Sequence, residues 1–217
     1  MQGENRLSAR KDFNKPLLLV DLDGTITNIK INNTFDFLKY CYGRKLGEVG
    51  LILYTILNII TSTLMKILSF FQHHRYYDVE EVLLLLVHLR VLSIFGLNYQ
   101  TLMRYSYEWV AKVLKEGSLR VDIVLLTKKW NAKKILFTAC IDVVACTYAR
   151  ILKFDSCLAR SARLSSNIQP GLQSKLLSLK HILESSEGRN IIYVLDSSSY
   201  ERERTSILKF INNYVIV

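Results

Sequence analysis

Two carboxylates follow a short apolar segment near the start of the chain, in the sequence Leu17-Leu18-Leu19-Val20-Asp21-Leu22-Asp23-Gly24-Thr25. An apolar run that is bounded by a turn signal predicts a buried strand of a parallel sheet. Because ligands collect at the carboxyl ends of such strands, Asp21 is expected at the mouth of the sheet. Gly24 permits a tight turn and the close approach of a ligand.

The spacing of Asp21 and Asp23 points to phosphate or metal chemistry. Two carboxylates this close repel each other, so they contribute nothing to a sheet unless a cation or a substrate lies beside them. Mg²⁺ takes oxygen ligands from one or two carboxylates and from phosphate, and a carboxylate can also carry a covalent phosphoryl group. The alternative is an ordinary polar turn at Asp23-Gly24. We favour the chemical interpretation because the preceding strand places both acids at a ligand-binding edge.

The pattern Asp-x-Asp-Gly-Thr after an apolar strand resembles the first motif of the haloacid dehalogenase-like phosphohydrolases. The resemblance implies that Asp21 is the nucleophile and that Asp23 is the general acid and base. A helical insertion after this motif is similar to that of the phosphoserine phosphatase-like branch. It therefore implies a Mg²⁺-dependent phosphomonoester hydrolase that acts through an aspartyl-phosphate intermediate on a small phosphorylated substrate.

Two further motifs of the family have counterparts that would bind the phosphate group. Thr138 follows the apolar run Ile135-Leu136-Phe137 and matches the second motif, whose hydroxyl hydrogen-bonds the transferring phosphoryl group. Lys175 follows Pro170-Gly171 and matches the third motif, whose ammonium offsets the negative charge of the site. Lys180 is a rival for that role, but it lies further along the same predicted helix.

The fourth motif is present with two departures. Asp196 matches its first acid, but Leu195 stands in place of the preceding glycine and Tyr200 in place of the second acid. Glu201 is adjacent and could substitute only with a shift of register. The metal ligands that the resemblance implies are Asp21, Asp23 and Asp196.

The pattern of apolar residues changes near residue 121. Long helical patterns precede it, and short strands alternating with helices follow it, which predicts a parallel α/β core. We expect a Rossmann-like parallel sheet flanked by helices, with an inserted all-helical cap. The predicted divisions are an N-terminal tail over 1–14, a core over 15–33 and 116–217, and the cap over 34–115.

Individual elements are predicted by periodicity. Helices are expected at 34–42, 49–71, 79–95, 99–116, 121–129, 142–152, 172–183 and 206–211. Besides the first strand, strands are expected at 135–137, 154–159, 190–195 and 214–217.

The composition limits the partners and the compartment. The 217 residues carry 29 Lys and Arg against 19 Asp and Glu, a net charge of +10 that attracts phosphorylated or other anionic partners. No dense basic run is interleaved with aromatic residues, so no nucleic acid is expected. The four cysteines lack zinc-ligand spacing, and residues 1–15 lack the apolar centre of a signal peptide, so a cytoplasmic location is expected.

The segment 49–71 is apolar and nearly long enough to cross a membrane. Asn58 and Lys66 interrupt it, so we interpret it as a buried cap helix, with peripheral membrane contact as the alternative. Two other functions stay open beside the hydrolase. One is a catalytically weak phospho-ligand-binding or regulatory protein, favoured by Leu195 and Tyr200, and the other is a membrane-associated lipid-phosphate phosphatase. The sequence gives no signal for the substrate or the oligomeric state.

Overall fold

A five-stranded parallel sheet forms the centre of the computed structural model, which describes residues 15–69, 76–163, 171–185 and 190–217. Within these residues the strands are β1 (Leu17–Val20), β2 (Lys133–Ile141), β3 (Ser156–Arg160), β4 (Ile191–Leu195) and β5 (Asn213–Ile216). They lie in the order β3-β2-β1-β4-β5, and every neighbouring pair is parallel. The first strand of the chain is therefore the central strand of the sheet.

Seven α-helices of the described residues accompany the sheet. They are α1 (Asn33–Ser69), α2 (Tyr76–Ile94), α3 (Tyr99–Lys115), α4 (Val121–Lys129), α5 (Asp142–Leu152), α6 (Gly171–Ser185) and α7 (Ser197–Glu203). Three of them, α1 to α3, lie between β1 and α4 and form the helical insertion. The predicted fold class, a Rossmann-like parallel sheet with an inserted helical subdomain, is confirmed.

The alternation of side chains along β1 divides the core into two layers. Leu18 and Val20 belong to a large apolar cluster with residues of α1 to α5, whereas Leu17 and Leu19 belong to a second cluster with Leu179 of α6. All four residues of β1 are buried because helices cover both faces of the sheet. This explains why β1 reads as a continuous apolar run instead of an alternating one.

The register of the sheet brings polar residues to one edge. Val20 lies opposite Leu136 of β2 and Val194 of β4. Asp21, Thr138 and Asp196 come one or two residues after these positions, so they lie near one another at this edge of the sheet.

Two predicted elements differ from the structure. Strand β2 continues through Thr138 to Ile141, with an irregular register against β3, so Thr138 lies inside the strand and not after its end. The expected helix at 206–211 is a single 3₁₀ turn over Leu208–Phe210, because the helix of this region, α7, begins directly after Asp196. The predicted tail over 1–14 and the expected turn residue Pro170 lie outside the described residues.

Helix α1 bends where glycine permits it. Gly47 has φ 62° and ψ −142°, which lies outside the helical region and in the left-handed half of the map. Gly50 is buried, and a Cβ atom there would overlap the backbone carbonyl of Tyr42. The close approach of the two halves of α1 therefore requires a residue without a side chain at position 50.

We predict that Gly50→Ala lowers the free energy of unfolding by about 1–3 kcal/mol, because the added methyl group forces the two halves of α1 apart. Gly43→Ala is the matched control in the same helix, since its Cβ would meet only the flexible side chain of Leu51 at 3.2 Å. Urea denaturation of both variants measures the difference. Equal stability of the two variants would show that the bend tolerates a side chain at Gly50.

Candidate active site

Asp21 lies directly after β1 and is only 3% exposed. Its Oδ1 atom accepts a hydrogen bond from the Leu22 N–H at 2.9 Å and lies 3.0 Å from Nζ of Lys175. Its Oδ2 atom accepts a hydrogen bond from the Ser199 hydroxyl at 2.9 Å. Both oxygens of this buried carboxylate are therefore held by donors from three different parts of the chain.

Asp23 is partly buried and is held by the first residue of α1. Its Oδ1 atom accepts hydrogen bonds from the Asn33 backbone N–H at 3.0 Å and from the Asn33 side-chain amide at 2.6 Å. The same amide also donates to the Thr27 hydroxyl at 2.9 Å. Burial raises the pKa of Asp23 from 3.8 to about 6, and the Asn33 hydrogen bonds only partly oppose that shift. A carboxyl group that titrates near neutrality can both donate and accept a proton.

Lys175, in the first turns of α6, is buried among acidic and aromatic groups. Its ammonium lies 3.0 Å from Asp21 and 2.7 Å from Oε1 of Glu203, and it donates to the Tyr193 hydroxyl at 2.8 Å. The Tyr193 hydroxyl in turn donates to Oε2 of Glu203 at 2.9 Å. Burial alone would lower the pKa of Lys175, but Asp21 and Glu203 outweigh it and raise that pKa, so the ammonium stays protonated. Lys180, the rival of Lys175, is exposed.

Asp196 forms the N-cap of α7. Its carboxylate accepts hydrogen bonds from the backbone N–H groups of Ser198 and Ser199, both at 3.1 Å, and from the Ser198 hydroxyl at 2.7 Å. Burial would raise the pKa of Asp196, but these hydrogen bonds outweigh it and lower that pKa. Gly24 has φ +76°, and a Cβ there would lie 2.8 Å from the Asp196 carboxylate, so the first and fourth motifs are in direct contact.

A cavity of about 760 Å³ opens beside these groups. Its lining includes four of the five residues that the sequence singled out, namely Asp21, Asp23, Thr138 and Lys175. Asp196 is not part of that lining, although Ser198 beside it is. The Thr138 hydroxyl accepts a hydrogen bond from the Cys140 N–H at 3.1 Å, which fixes its position in the wall.

Glu203 is a residue of the site that the sequence did not indicate. With Tyr200 at the position of the second acid, only Glu201 was expected as a substitute, but Glu201 is exposed and forms an ion pair with Arg204 at 3.2 Å. Glu203 is 3% exposed, lines the cavity and contacts Lys175. It follows Ser199 by four residues on α7, so both side chains lie on one face of the helix. Counting four residues from Ser199 is the signal that could have found it.

Arg202 and Glu81 are further charged groups of the cavity wall that the sequence did not indicate. Arg202 donates to the Ser199 hydroxyl at 3.1 Å, beside Asp21. Glu81 of α2 pairs with the buried guanidinium of Arg160 at 2.8 Å, which joins the helical insertion to β3.

The carboxylate oxygens of Asp21 and Asp196 are the type of ligand that Mg²⁺ prefers. Ser199 connects the two carboxylates, because its hydroxyl donates to Asp21 and its N–H donates to Asp196. Mg²⁺ is commonly held by one or two carboxylates together with water and phosphate. Over residues 15–69, 76–163, 171–185 and 190–217, no three Asp, Glu, His or Cys side chains are arranged to hold a metal ion. The expectation from the sequence that Asp21, Asp23 and Asp196 all bind the metal stays a prediction.

Comparison with known proteins gives matches in structure but not in sequence. No protein-family model and no curated protein matches the sequence. A protein of unknown function from Bordetella pertussis Tohama I is similar in structure, with a TM-score of 0.59 and 13% identity over 93% of this chain and 98% of that chain. A substrate-bound phosphoserine phosphatase has a TM-score of 0.46 and 14% identity over 94% and 86% of the two chains. A HAD family hydrolase from Salmonella enterica serovar Typhi has a TM-score of 0.42 and 11% identity over 93% and 68%.

These similarities concern the fold. The Bordetella protein shares the architecture over nearly its whole length. The expected parallel sheet with a helical insertion rests on the structure itself, in which five strands lie in the order β3-β2-β1-β4-β5.

We predict that Asp23→Asn stabilises the protein at neutral pH. The raised pKa means that ionised Asp23 opposes folding above about pH 6, whereas below about pH 4 the group is protonated in both states and the penalty disappears. The free energy of unfolding should rise at pH 7.5 by less than about 3 kcal/mol, because solvent screens a carboxyl group that is partly exposed. Urea denaturation at pH 4.5 and 7.5 measures it, with the exposed Asp122→Asn as control. A gain that does not depend on pH would contradict the assigned cause.

We predict that Lys175→Met lowers the free energy of unfolding by about 3–5 kcal/mol, because it leaves Asp21 and Glu203 buried without their shared cation. Adding Glu203→Gln to that variant should restore part of the loss, since one of the two unpaired charges is removed. Lys180→Met is the control on the same helix and should change stability by less than about 0.5 kcal/mol. If the costs of Lys175→Met and Glu203→Gln simply add, the two residues are not coupled.

Proposed function

We propose that this protein is a phosphomonoester hydrolase that forms a covalent intermediate on Asp21. The observation that carries the proposal is the buried Asp21 carboxylate, which lines the cavity at the carboxyl end of the central strand and is paired with Lys175 at 3.0 Å. A buried, oriented carboxylate beside a fixed cation suits attack on an electron-poor phosphorus atom. The similarity in fold to phosphoserine phosphatases agrees with this proposal.

Asp23 serves as the general acid and base in the proposed reaction. In the first step an oxygen of Asp21 bonds to phosphorus, the ester bond breaks, and Asp23 gives its proton to the departing oxygen. In the second step Asp23 takes a proton from water, whose oxygen bonds to phosphorus and displaces Asp21. Phosphate is released and both carboxyl groups return to their starting states. A pKa of about 6 lets Asp23 act in both directions near neutral pH.

Thr138 and Lys175 bind the transferring group in this proposal. The Thr138 hydroxyl lies in the cavity wall and can donate to a phosphoryl oxygen, because the bond from Cys140 uses it only as an acceptor. Lys175 carries a fixed positive charge that offsets the charge of the phosphoryl group. Arg202, which also lines the cavity and donates to the Ser199 hydroxyl, adds a second cation.

Asp21 and Asp196 are the residues that would hold Mg²⁺. When bound, the ion neutralises charge on the phosphoryl oxygens and helps to orient them. The hydrogen bonds that lower the pKa of Asp196 keep its carboxylate ionised, which is the form that binds a cation. Asp23 is not one of the metal ligands in this proposal. Asn33 donates two hydrogen bonds to one oxygen of Asp23, and the role of Asp23 in the reaction is proton transfer.

The alternative of a weak phospho-ligand-binding protein rested on the departures at Leu195 and Tyr200. Those departures bear on metal affinity, whereas Glu203 adds a buried carboxylate that contacts Lys175. We favour the hydrolase because Asp21, Asp23, Thr138 and Lys175 line one cavity, whose size suits a small monoester substrate.

The test is phosphate release from an aryl phosphate by the full chain, with and without Mg²⁺. Asp21→Asn should abolish turnover because an amide cannot attack phosphorus, and Asp23→Asn should reduce it by about 10²–10⁴-fold. The two variants should also differ in kind. After acid quenching, only Asp23→Asn should retain labelled phosphate on the protein, because an activated leaving group departs without the acid.

Asp122→Asn, a change at an exposed carboxylate of α4, is the control and should keep full activity. Melting curves with and without Mg²⁺ verify that each variant is folded. Undiminished activity of Asp21→Asn would exclude the covalent mechanism. An inactive wild type over a broad panel of phosphomonoesters would replace the hydrolase with the binding protein.

A further inference from the structure

The second half of α1 exposes a broad apolar face. After the bend at Gly47, seven large apolar side chains are between 46% and 70% exposed, and they are Val49, Ile52, Ile56, Ile59, Ile60, Leu64 and Ile67. At 100° per residue they cover an arc of roughly 140° around the helix. This arc is wider than the narrow seam of a two-helix coiled coil. The sequence-based expectation that this segment is a buried helix is therefore wrong for its outer face.

Helix α2 extends the same apolar character. Its central segment, residues 82–87, is an unbroken apolar run that covers every side of the helix, yet Leu83, Leu84, Leu86 and Val87 are only partly buried, and Ile94 is 80% exposed. A helix that is apolar all round normally lies in a protein core or in lipid. Helix α3 behaves differently, because it buries one apolar face and presents polar residues such as Arg104 and Lys112 outward. The apolar exterior thus belongs to α1 and α2 alone among the three helices of the insertion.

Several polar side chains in this pair of helices are turned inward or bonded to their own backbone, whereas Arg90 of α2 is exposed. His88 of α2 lies within hydrogen-bond distance of Tyr42 at 3.2 Å and of Asn58 at 3.3 Å, and the Tyr54 ring stacks on it. Thr55 donates to the Leu51 carbonyl at 2.9 Å. An apolar solvent requires this arrangement, because it offers no hydrogen bonds to polar groups on the outer surface.

The charge and length of this region fit a bilayer. From residue 49 to 77 the sequence contains Lys66 and Arg75 but no Asp or Glu, within a chain of net charge +10. Residues 33–67 are long and apolar enough to cross a membrane, and only 17% of their most apolar window is buried, unlike a core helix. The part after Gly47 is about 33 Å long at 1.5 Å per residue, close to the thickness of a hydrocarbon core.

We propose that the outer face of α1 beyond Gly47, together with α2, docks into an anionic lipid bilayer. Burial of the isoleucine side chains in the acyl region supplies the affinity, and the positive charge of the chain draws it to anionic headgroups. The proposal concerns where the protein resides and does not depend on the reaction proposed above. A second copy of the chain, the other way to cover such a face, is an outcome that the experiment distinguishes.

The test is flotation of the full chain with vesicles of phosphatidylcholine containing about one-third phosphatidylglycerol, without detergent. Wild type should float with the vesicles, and Ile52→Glu/Ile59→Glu should bind more than tenfold more weakly. Val121→Glu/Leu125→Glu is the matched control, because these two residues of α4 are 56% and 53% exposed and lie outside the proposed face. It should bind like wild type. All the substituted side chains are exposed, so melting temperatures should stay close to that of wild type.

Three results would overturn the proposal. The first is that wild type does not float with the vesicles. The second is that both double variants lose binding equally. The third is that a buffer of high ionic strength releases wild type completely, which would show that only charge attracts it. Size-exclusion chromatography with light scattering covers the remaining case. A wild-type dimer that Ile52→Glu/Ile59→Glu converts to a monomer, without vesicle binding, assigns the face to a second copy instead.

A depth measurement separates insertion from surface adhesion. Tryptophan at position 59, introduced as Ile59→Trp, should shift to the blue and be quenched by lipids that carry bromine on their acyl chains. Leu125→Trp should show neither change, and the native tryptophans are subtracted with the wild-type spectrum. Equal quenching of the two variants, or none in Ile59→Trp, contradicts docking through α1.

Discussion

The ammonium of Lys175 is the interaction on which the rest of the site depends. It lies between Asp21, which follows β1, and Glu203 at the end of α7, while its own backbone belongs to α6. Removing a charge from water is costly, and the two carboxylates and the Tyr193 hydroxyl offset that cost here. Three separate elements must therefore hold their positions for one cation to be stable, and that requirement fixes the position of the Asp21 carboxylate.

Helix α7 links Lys175 and Asp21 to Asp196. Asp196 caps the helix, so the positions of Ser199 and Glu203 are set as soon as the helix begins. Ser199 then donates to Asp21, and Glu203, one turn later, reaches Lys175. An acid at position 200, where the family pattern places it, would lie on a neighbouring face of the helix, where Tyr200 packs against Tyr214 instead. Glu203, three residues later, is the acid of α7 that contacts Lys175.

Residues that follow buried strands were predictable from sequence, and those fixed by helix rotation or by backbone geometry were not. Asp21, Thr138 and Asp196 were found because each follows an apolar run, and the parallel sheet brings such positions to one edge. Glu203 was missed because its place depends on where α7 starts, which a cap determines and periodicity does not. A single sequence does not reveal what packs against α1. It therefore does not show which polar side chains of α1 point inward or which apolar side chains are exposed.

Helix α1 joins the candidate active site to the apolar face. Its first residue, Asn33, holds the carboxylate of Asp23, and the part beyond Gly47 carries the exposed isoleucines. Helix α2 repeats this arrangement, because Glu81 lines the cavity and pairs with Arg160 of the sheet while Ile94 is exposed at the other end. The bend at Gly47 is what allows one helix to have both a buried polar beginning and an exposed apolar end. A bilayer that held the apolar face would therefore act on the cavity through two helices, each of which already contacts it.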